Sequence, residues 1–278
     1  MGTLSPSHPL QGFFLPWPRP LVEGRLRRRY HRFLADVVLL DGRVVTAHCP
    51  NSGLMEGLVR PGAAVWLSPS EGPRRALPYT WSMMALDDTL VGVDTLVPNR
   101  LVRALLEARA LPRLGPYDTV HPEYAHAAGS RVDFRLLSAA RVHDIEVKNC
   151  HLVYPDGRGY FPDSVSVRAT RHLQILSREV QRGIAATVLF VVQRDDVKAV
   201  RPAALHDPDF AAAATRAAAL GVRFRALRTR VSPEGVTVLG AVPVDLKPYA
   251  LSRVAGWRLA LKPYSGWERP KRVVSSAP

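Results

Sequence analysis

Lysine is almost missing from this chain: 5 of its 38 basic residues are Lys and the other 33 are Arg. Cysteine is scarce as well. Cys49 and Cys150 are the whole complement, too few for a disulfide framework. No apolar run reaches the roughly 20 residues of a membrane span. The longest, at 185–192, is interrupted by Thr187. The first 20 residues contain Phe13-Phe14-Leu15, but Pro9, Pro16, Pro18 and Pro20 crowd them. A signal peptide needs a basic start and a longer apolar stretch. These absences exclude disulfide-stapled and membrane-spanning classes, and a cytoplasmic protein is expected.

Acid is also in short supply. Against 38 basic residues stand 24 acidic ones, a net charge of +14. A non-membrane chain this basic usually meets an anion, and nucleic acid is the commonest large one. The charge is clustered. Residues 24–33 hold Arg25, Arg27, Arg28, Arg29 and Arg32 with no acid, and Tyr30 and Phe33 lie among them. On a barrel face that mixture can stack bases and hold phosphates.

What is present organises into two folded parts. Residues 1–20 read as a Pro-rich arm. Residues 24–40 read as one strand-like run, followed by an Asp41-Gly42 turn and a strand at 44–48. Further short strands are expected at 64–67 and 79–86. Together, 21–88 suggest a small β-barrel. From 89 to 249 the composition shifts to strands alternating with helices, an α/β layer on a mixed sheet. A helix follows Pro98, and another runs over 165–182 to Gly183, with an apolar stripe of Val165, Ala169, Leu173, Leu176 and Val180. Residues 151–160 read as a loop. The run at 185–192 reads as a strand buried on both faces. Residues 250–278 form a basic extension whose Trp257, Tyr264 and Trp267 are placed to pack on the body.

The most informative stretch is 131–148. In Arg131-Val132-Asp133-Phe134-Arg135-Leu136, the residues Val132, Phe134 and Leu136 share one face of a strand. In Asp144-Ile145-Glu146-Val147-Lys148, Ile145 and Val147 go to the core and the charged residues go to the other face. If the two strands pair antiparallel, Asp133 lies near Glu146 and Lys148. Two carboxylates beside an ammonium suit a hard cation, Mg²⁺ or Mn²⁺. With 9 Glu and 5 Lys in 278 residues, about 0.2 Glu-x-Lys triplets are expected by chance. A Lys beside a strand carboxylate stands out in a chain that otherwise uses Arg.

Several ordered motifs carry a family resemblance. They are Arg28-Arg29-Tyr30-His31-Arg32-Phe33-Leu34-Ala35-Asp36, Cys49-Pro50-Asn51-Ser52-Gly53, Pro78-Tyr79-Thr80-Trp81, Val91-Gly92-Val93-Asp94-Thr95, Pro98-Asn99-Arg100, Ser130-Arg131-Val132-Asp133-Phe134, Ile145-Glu146-Val147-Lys148, Phe161-Pro162-Asp163, and Arg168 with His172-Leu173. Over roughly 21–246 the chain resembles the sugar fermentation stimulation (SfsA) family. The resemblance implies a DNA-binding, OB-like N-terminal barrel. It also implies a restriction-endonuclease-like C-terminal domain of the PD-(D/E)xK type. Asp133, Glu146 and the Val147 carbonyl would hold Mg²⁺ or Mn²⁺, and Lys148 would orient the attacking water or stabilise the developing charge. Glu123, beside Pro122, falls where the family carries a helix-borne Glu and would be a further ligand or a carboxylate that supports the ligands. Asp163, Arg168 and His172 would line the cleft, the last two gripping phosphate. Asn149 stands where the family has Ser or Thr. The function expected is a DNA-binding protein with a metal-dependent nuclease site. The alternative is a DNA-binding regulator of sugar metabolism that keeps the fold without turnover. DNA is the expected partner before RNA, no membrane is expected, and a homodimer is left open.

Overall fold

The computed structural model describes residues 9–70, 76–126, 130–139 and 141–268. A short strand, β1 (Phe14–Pro16), precedes β2 (Val22–Tyr30), β3 (Leu34–Leu39), β4 (Val44–His48), β5 (Ala64–Pro69), β6 (Tyr79–Leu86) and β7 (Thr89–Gly92). Strands β2 to β7 form one sheet in the order β4-β3-β2-β5-β6-β7, and an added β4–β6 pairing closes it into a barrel. The run 24–40 is therefore two strands rather than one. The chain reverses at His31 and Arg32, both at positive φ (46° and 67°), and Tyr30 pairs with Leu34 across the turn. Gly42 (φ 85°) makes the next hairpin, with Val38 opposite Val44. Leu26, Val37, Val65, Leu67, Trp81 and Met84 fill the barrel.

The second part contains α1 (Val97–Glu107), β8 (Thr119–Ala125), β9 (Arg131–Ser138), β10 (Arg141–Cys150), β11 (Leu152–Tyr154), β12 (Arg158–Phe161), α2 (Val167–Gln181), β13 (Ala185–Val192), β14 (Ala199–Pro202), α3 (Pro208–Ala219), β15 (Arg223–Ser232) and β16 (Gly235–Val242). Seven strands make a mixed sheet ordered β1-β16-β15-β13-β10-β9-β8, with β10, β13 and β15 parallel. Strand β13 shows why its sequence is apolar throughout. Leu189 and Val191 pack with α1, while Val188, Phe190 and Val192 pack with α2 and α3. Both faces are covered, as parallel strands require.

Several expectations need correction. The Pro-rich arm contributes β1, which pairs with β16, and Trp17 is buried with its indole N–H donating to the Ser232 carbonyl at 2.7 Å. Apolar burial and a new edge pairing outweigh the prolines there. Residues 151–160 are a hairpin, β11 with β12, extended by β14. Val165 is 71% exposed and lies outside α2. The helix begins after Ser166, whose side chain accepts from the Ala169 N–H, as an N-cap does. Its buried stripe is Ala169, Leu173 and Leu176. The C-terminal extension forms α4 (Leu251–Leu261). Val254 is buried against Leu152, Tyr154 and Tyr160, and Trp257 stacks on Tyr154. Among the described residues no helix is long and apolar enough to cross a membrane.

Candidate metal and nucleic-acid site

Strands β9 and β10 pair antiparallel from Ser138–Arg141 to Phe134–Ile145. The next pair would set Asp133 against Glu146. There the ladder opens, and the Asp133 carboxylate fills the gap by accepting the Val147 N–H on Oδ2 at 2.7 Å. Asn99, in the first turn of α1, donates to Oδ1 at 2.9 Å. The opening also changes faces. Val132 packs on the α2 side, while Phe134 and Leu136 pack with α1, so the three residues do not share one face as the alternation predicted. The neighbouring edge strand explains the break. Glu123 in β8 has φ 50°, and the pairing skips from Pro122–Phe134 to Tyr124–Val132.

Glu146 is buried on the α2 side. Lys148 Nζ donates to its Oε1 at 2.5 Å, and His172 Nδ1, from α2, reaches the same oxygen. Oε2 takes no hydrogen bond among the described residues. Burial raises the Asp133 carboxyl to about 6, and the nearby Glu146 charge adds to it. For Glu146 burial pushes upward, but the Lys148 ammonium and the His172 hydrogen bond outweigh it, leaving the group below its ordinary value. Two neighbouring carboxylates are thus held in different electrostatic states. A void of about 10 Å³ borders Glu146 and His172, about the smallest space that takes one water.

Not every expected residue joins this cluster. Glu123 lies on an exposed strand rather than on a helix. By register it neighbours Asp133, yet it makes no hydrogen bond or ion pair among the described residues. Arg168 reaches the cluster through His172, Nε to Nε2 at 3.4 Å. Asp163 lines a separate cavity of about 150 Å³ at the junction of barrel and second domain. It accepts the Met55 N–H at 2.7 Å and lies 3.3 Å from His151 Nε2, tying the two domains together. Sequence reasoning missed Asn99 as a partner of Asp133. It also missed a buried network behind the site. Arg135 forks onto Asp144 at 2.7 and 2.8 Å and stands 3.5 Å from Glu179, with His126 3.5 Å from Asp144. Asp144, Glu179 and His126 could hold an ion by spacing, but the guanidinium groups of Arg135 and Arg182 already balance the two carboxylates.

The barrel arginines divide. Arg25 and Arg27 are exposed on β2. Arg28 pairs with Asp36 at 2.8 Å and covers the Tyr30 ring, and the Tyr30 hydroxyl donates to the same Asp36. Arg32 donates to the Ser52 carbonyl at 2.7 Å, and Phe33 is 43% exposed. Arg29, expected to contact nucleic acid, is 1% exposed. Its guanidinium donates to the carbonyls of Arg32, Asn51, Gly53 and Gly266. Four carbonyls satisfy a buried fork, so Arg29 organises loops instead of meeting a ligand.

Comparison with known proteins agrees with this architecture. Residues 28–93 match the SfsA N-terminal OB domain, and 96–235 match the sugar fermentation stimulation protein RE domain. The sugar fermentation stimulation protein homolog of Caulobacter vibrioides is 46% identical over 222 residues, covering 80% of this chain and 93% of the relative. That of Geobacter sulfurreducens is 45% identical over 227 residues, covering 82% and 97%. The structure of Pyrococcus furiosus SfsA in complex with Ca²⁺ superposes with a TM-score of 0.76 at 22% identity, covering 86% of this chain and 99% of that one. The barrel is the family's OB domain, the mixed-sheet unit is its RE domain, and the chain belongs to the sugar fermentation stimulation protein family.

Proposed function

We propose that this chain binds nucleic acid, DNA in the first place, and hydrolyses phosphodiester bonds with a divalent metal. The observation that carries this reading is the convergence of Asp133, Glu146 and Lys148 where β9 separates from β10. The donor set fits Mg²⁺ or Mn²⁺. Among the described residues Glu146 Oε2 takes no hydrogen bond, Asp133 keeps a lone pair on each oxygen, and the Val147 carbonyl belongs to the same strand as Glu146. Burial first and the neighbouring Glu146 charge second raise the Asp133 group, and a dication would offset both. The archaeal relative's structure contains Ca²⁺, a cation with the same preference for oxygen.

When bound, the metal would lower the pKa of water and offset charge on the phosphate. The chain's own residues do the rest. Asn99 and the Val147 N–H fix the Asp133 carboxylate. His172 orients Glu146 from α2. Lys148 has a compact ammonium that can leave Glu146 to hold the attacking water or meet the charge that develops on the phosphate. Arg168, at the exposed start of α2, offers a cation at the rim. On the barrel, Arg25, Arg27 and Phe33 present charge and an aromatic face to a strand. Calorimetric titration of Mn²⁺ into wild type, Asp133→Asn and Glu146→Gln tests the metal site. Wild type should bind and both variants should lose at least tenfold in affinity. Equal binding by all three would remove the metal from this place.

A further inference from the structure

A second concentration of positive charge lies at the other end of the large sheet. Residues 112–115 lead from α1 toward β8. Arg225, near the start of β15, donates from Nη1 to the Pro112 carbonyl at 2.6 Å. Gly115 faces Arg141, the first residue of β10; a Cβ at that glycine would stand 2.9 Å from Arg141 Nη1. The loop is therefore held between two guanidinium groups, and it carries a third, the exposed Arg113. Arg223, also exposed, precedes Arg225 by two residues on β15, so both side chains leave the same face.

Among the described residues none of the four guanidinium groups forms an ion pair with a carboxylate. The pKa of Arg225 is lowered first by burial and then by the like charges of Arg113 and Arg223. His143 beneath is held below its ordinary value first by burial, with the charges of Arg141, Arg223 and Arg225 adding to it. No carboxylate is among these charges. Elsewhere this Arg-rich chain sets guanidinium groups against acids, as in Arg28–Asp36, Arg194–Asp196 and Arg230–Asp195. Gathering four like charges destabilises the folded state, and a bound anion removes that repulsion. Guanidinium forks match phosphate oxygens in pairs.

We infer that Arg113, Arg141, Arg223 and Arg225 form a second phosphate-binding surface, one that takes the backbone of a nucleic acid outside the catalytic cleft. The inference rests on the nucleic-acid reading for its ligand and on the arginine geometry for its place. Arg141 stands five residues before Glu146 on β10, roughly 17 Å along the strand. His143 faces the α1 side whereas Glu146 faces α2, so this surface adds footprint and leaves the chemistry alone. A long duplex that reaches it binds more tightly than a short one.

The test compares wild type, Arg113→Ala/Arg223→Ala and Arg25→Ala/Arg27→Ala. All four substituted side chains are exposed, and Gln versions serve if either Ala pair fails to fold. Affinity for a duplex of about 30 base pairs is measured against salt, and melting temperature is measured with and without inorganic tripolyphosphate. The expected result is a salt slope about two lower for the Arg113/Arg223 variant. Tripolyphosphate should raise the melting temperature of wild type and of the barrel variant, and should do so far less for the Arg113/Arg223 variant. An unchanged slope with an unchanged tripolyphosphate response in that variant overturns the surface. Loss of the tripolyphosphate response in a protein whose wild type has no affinity for DNA would sink the nucleic-acid reading instead. The anion surface would then stand, with free polyphosphate as its ligand.

Discussion

Replacing Asp133 with Asn should stabilise the metal-free protein at neutral pH and leave it unchanged in acid. The folded carboxyl titrates at about 6 against an ordinary 3.8. A raised acid favours the folded state while it is protonated. Its contribution is complete below pH 3.8 and is lost as pH rises through about 6. The full difference corresponds to about 3 kcal/mol above pH 7. Asn does not capture all of it. It still accepts the Val147 N–H, but its amide must meet Asn99 Nδ2, which has to rotate and offer its carbonyl. A gain of about 1–2 kcal/mol remains, or about 2–8 °C in melting temperature for a domain of this size. The assay is thermal unfolding in EDTA at pH 4 and pH 8. The variant should melt with wild type at pH 4 and above it at pH 8. Millimolar Mg²⁺ should then raise wild type and leave the variant where it is. A variant that melts below wild type at both pH values would refute the reasoning, because Asp133 would then be stabilising by its hydrogen bonds alone.

Lys148→Ala should keep metal and DNA affinity but slow cleavage by about a hundredfold or more, since its interaction is realised in the transition state; equal rates would assign it a structural place. Arg29→Ala should destabilise the fold by about 3 kcal/mol through four orphaned carbonyls, measured by urea unfolding, with Arg25→Ala/Arg27→Ala close to neutral in the same assay. The same Arg25/Arg27 pair should lower the salt slope of DNA binding by about two, and an unchanged slope would make them a solvated face. His172→Ala should weaken Mn²⁺ binding by about tenfold through a less fixed Glu146, and recovery by His172→Gln would show that orientation is what the ring supplies.

The antiparallel pairing of β9 with β10, which brings Asp133 close to Glu146, was legible because it depends on two adjacent strands, a local property; the opening of the ladder and the change of face at Asp133 were not. The buried β13 was legible for the same reason, being apolar on both faces. Other features depend on partners distant in sequence. Arg29 looks like its neighbours in the chain, and only the carbonyls of residues 51, 53 and 266 make it a buried residue. Glu123 sits beside Pro122, which suits a helix start. The positive φ at Glu123 that bends β8 instead has no sequence mark, since Glu rarely adopts it. Residues 151–160 are rich in turn formers, Pro155-Asp156-Gly157. The short strands on either side are held by β14 and α4, elements that arrive much later in the chain. Phe14-Leu15-Pro16 reads as a proline-crowded arm until β16 supplies an edge to pair with. Asn99 was visible within a motif, but its role needs the α1 start placed against β9.

Cleavage of single- and double-stranded DNA and RNA by wild type and Glu146→Gln, with Mg²⁺, Mn²⁺ or EDTA, tests the proposed function most directly. A metal-dependent nuclease built on Asp133, Glu146 and Lys148 cuts at least one of these substrates with metal and not with EDTA, and the Glu146→Gln protein does not cut it. Cleavage that persists in Glu146→Gln, or metal binding with no cleavage of any substrate, would contradict it.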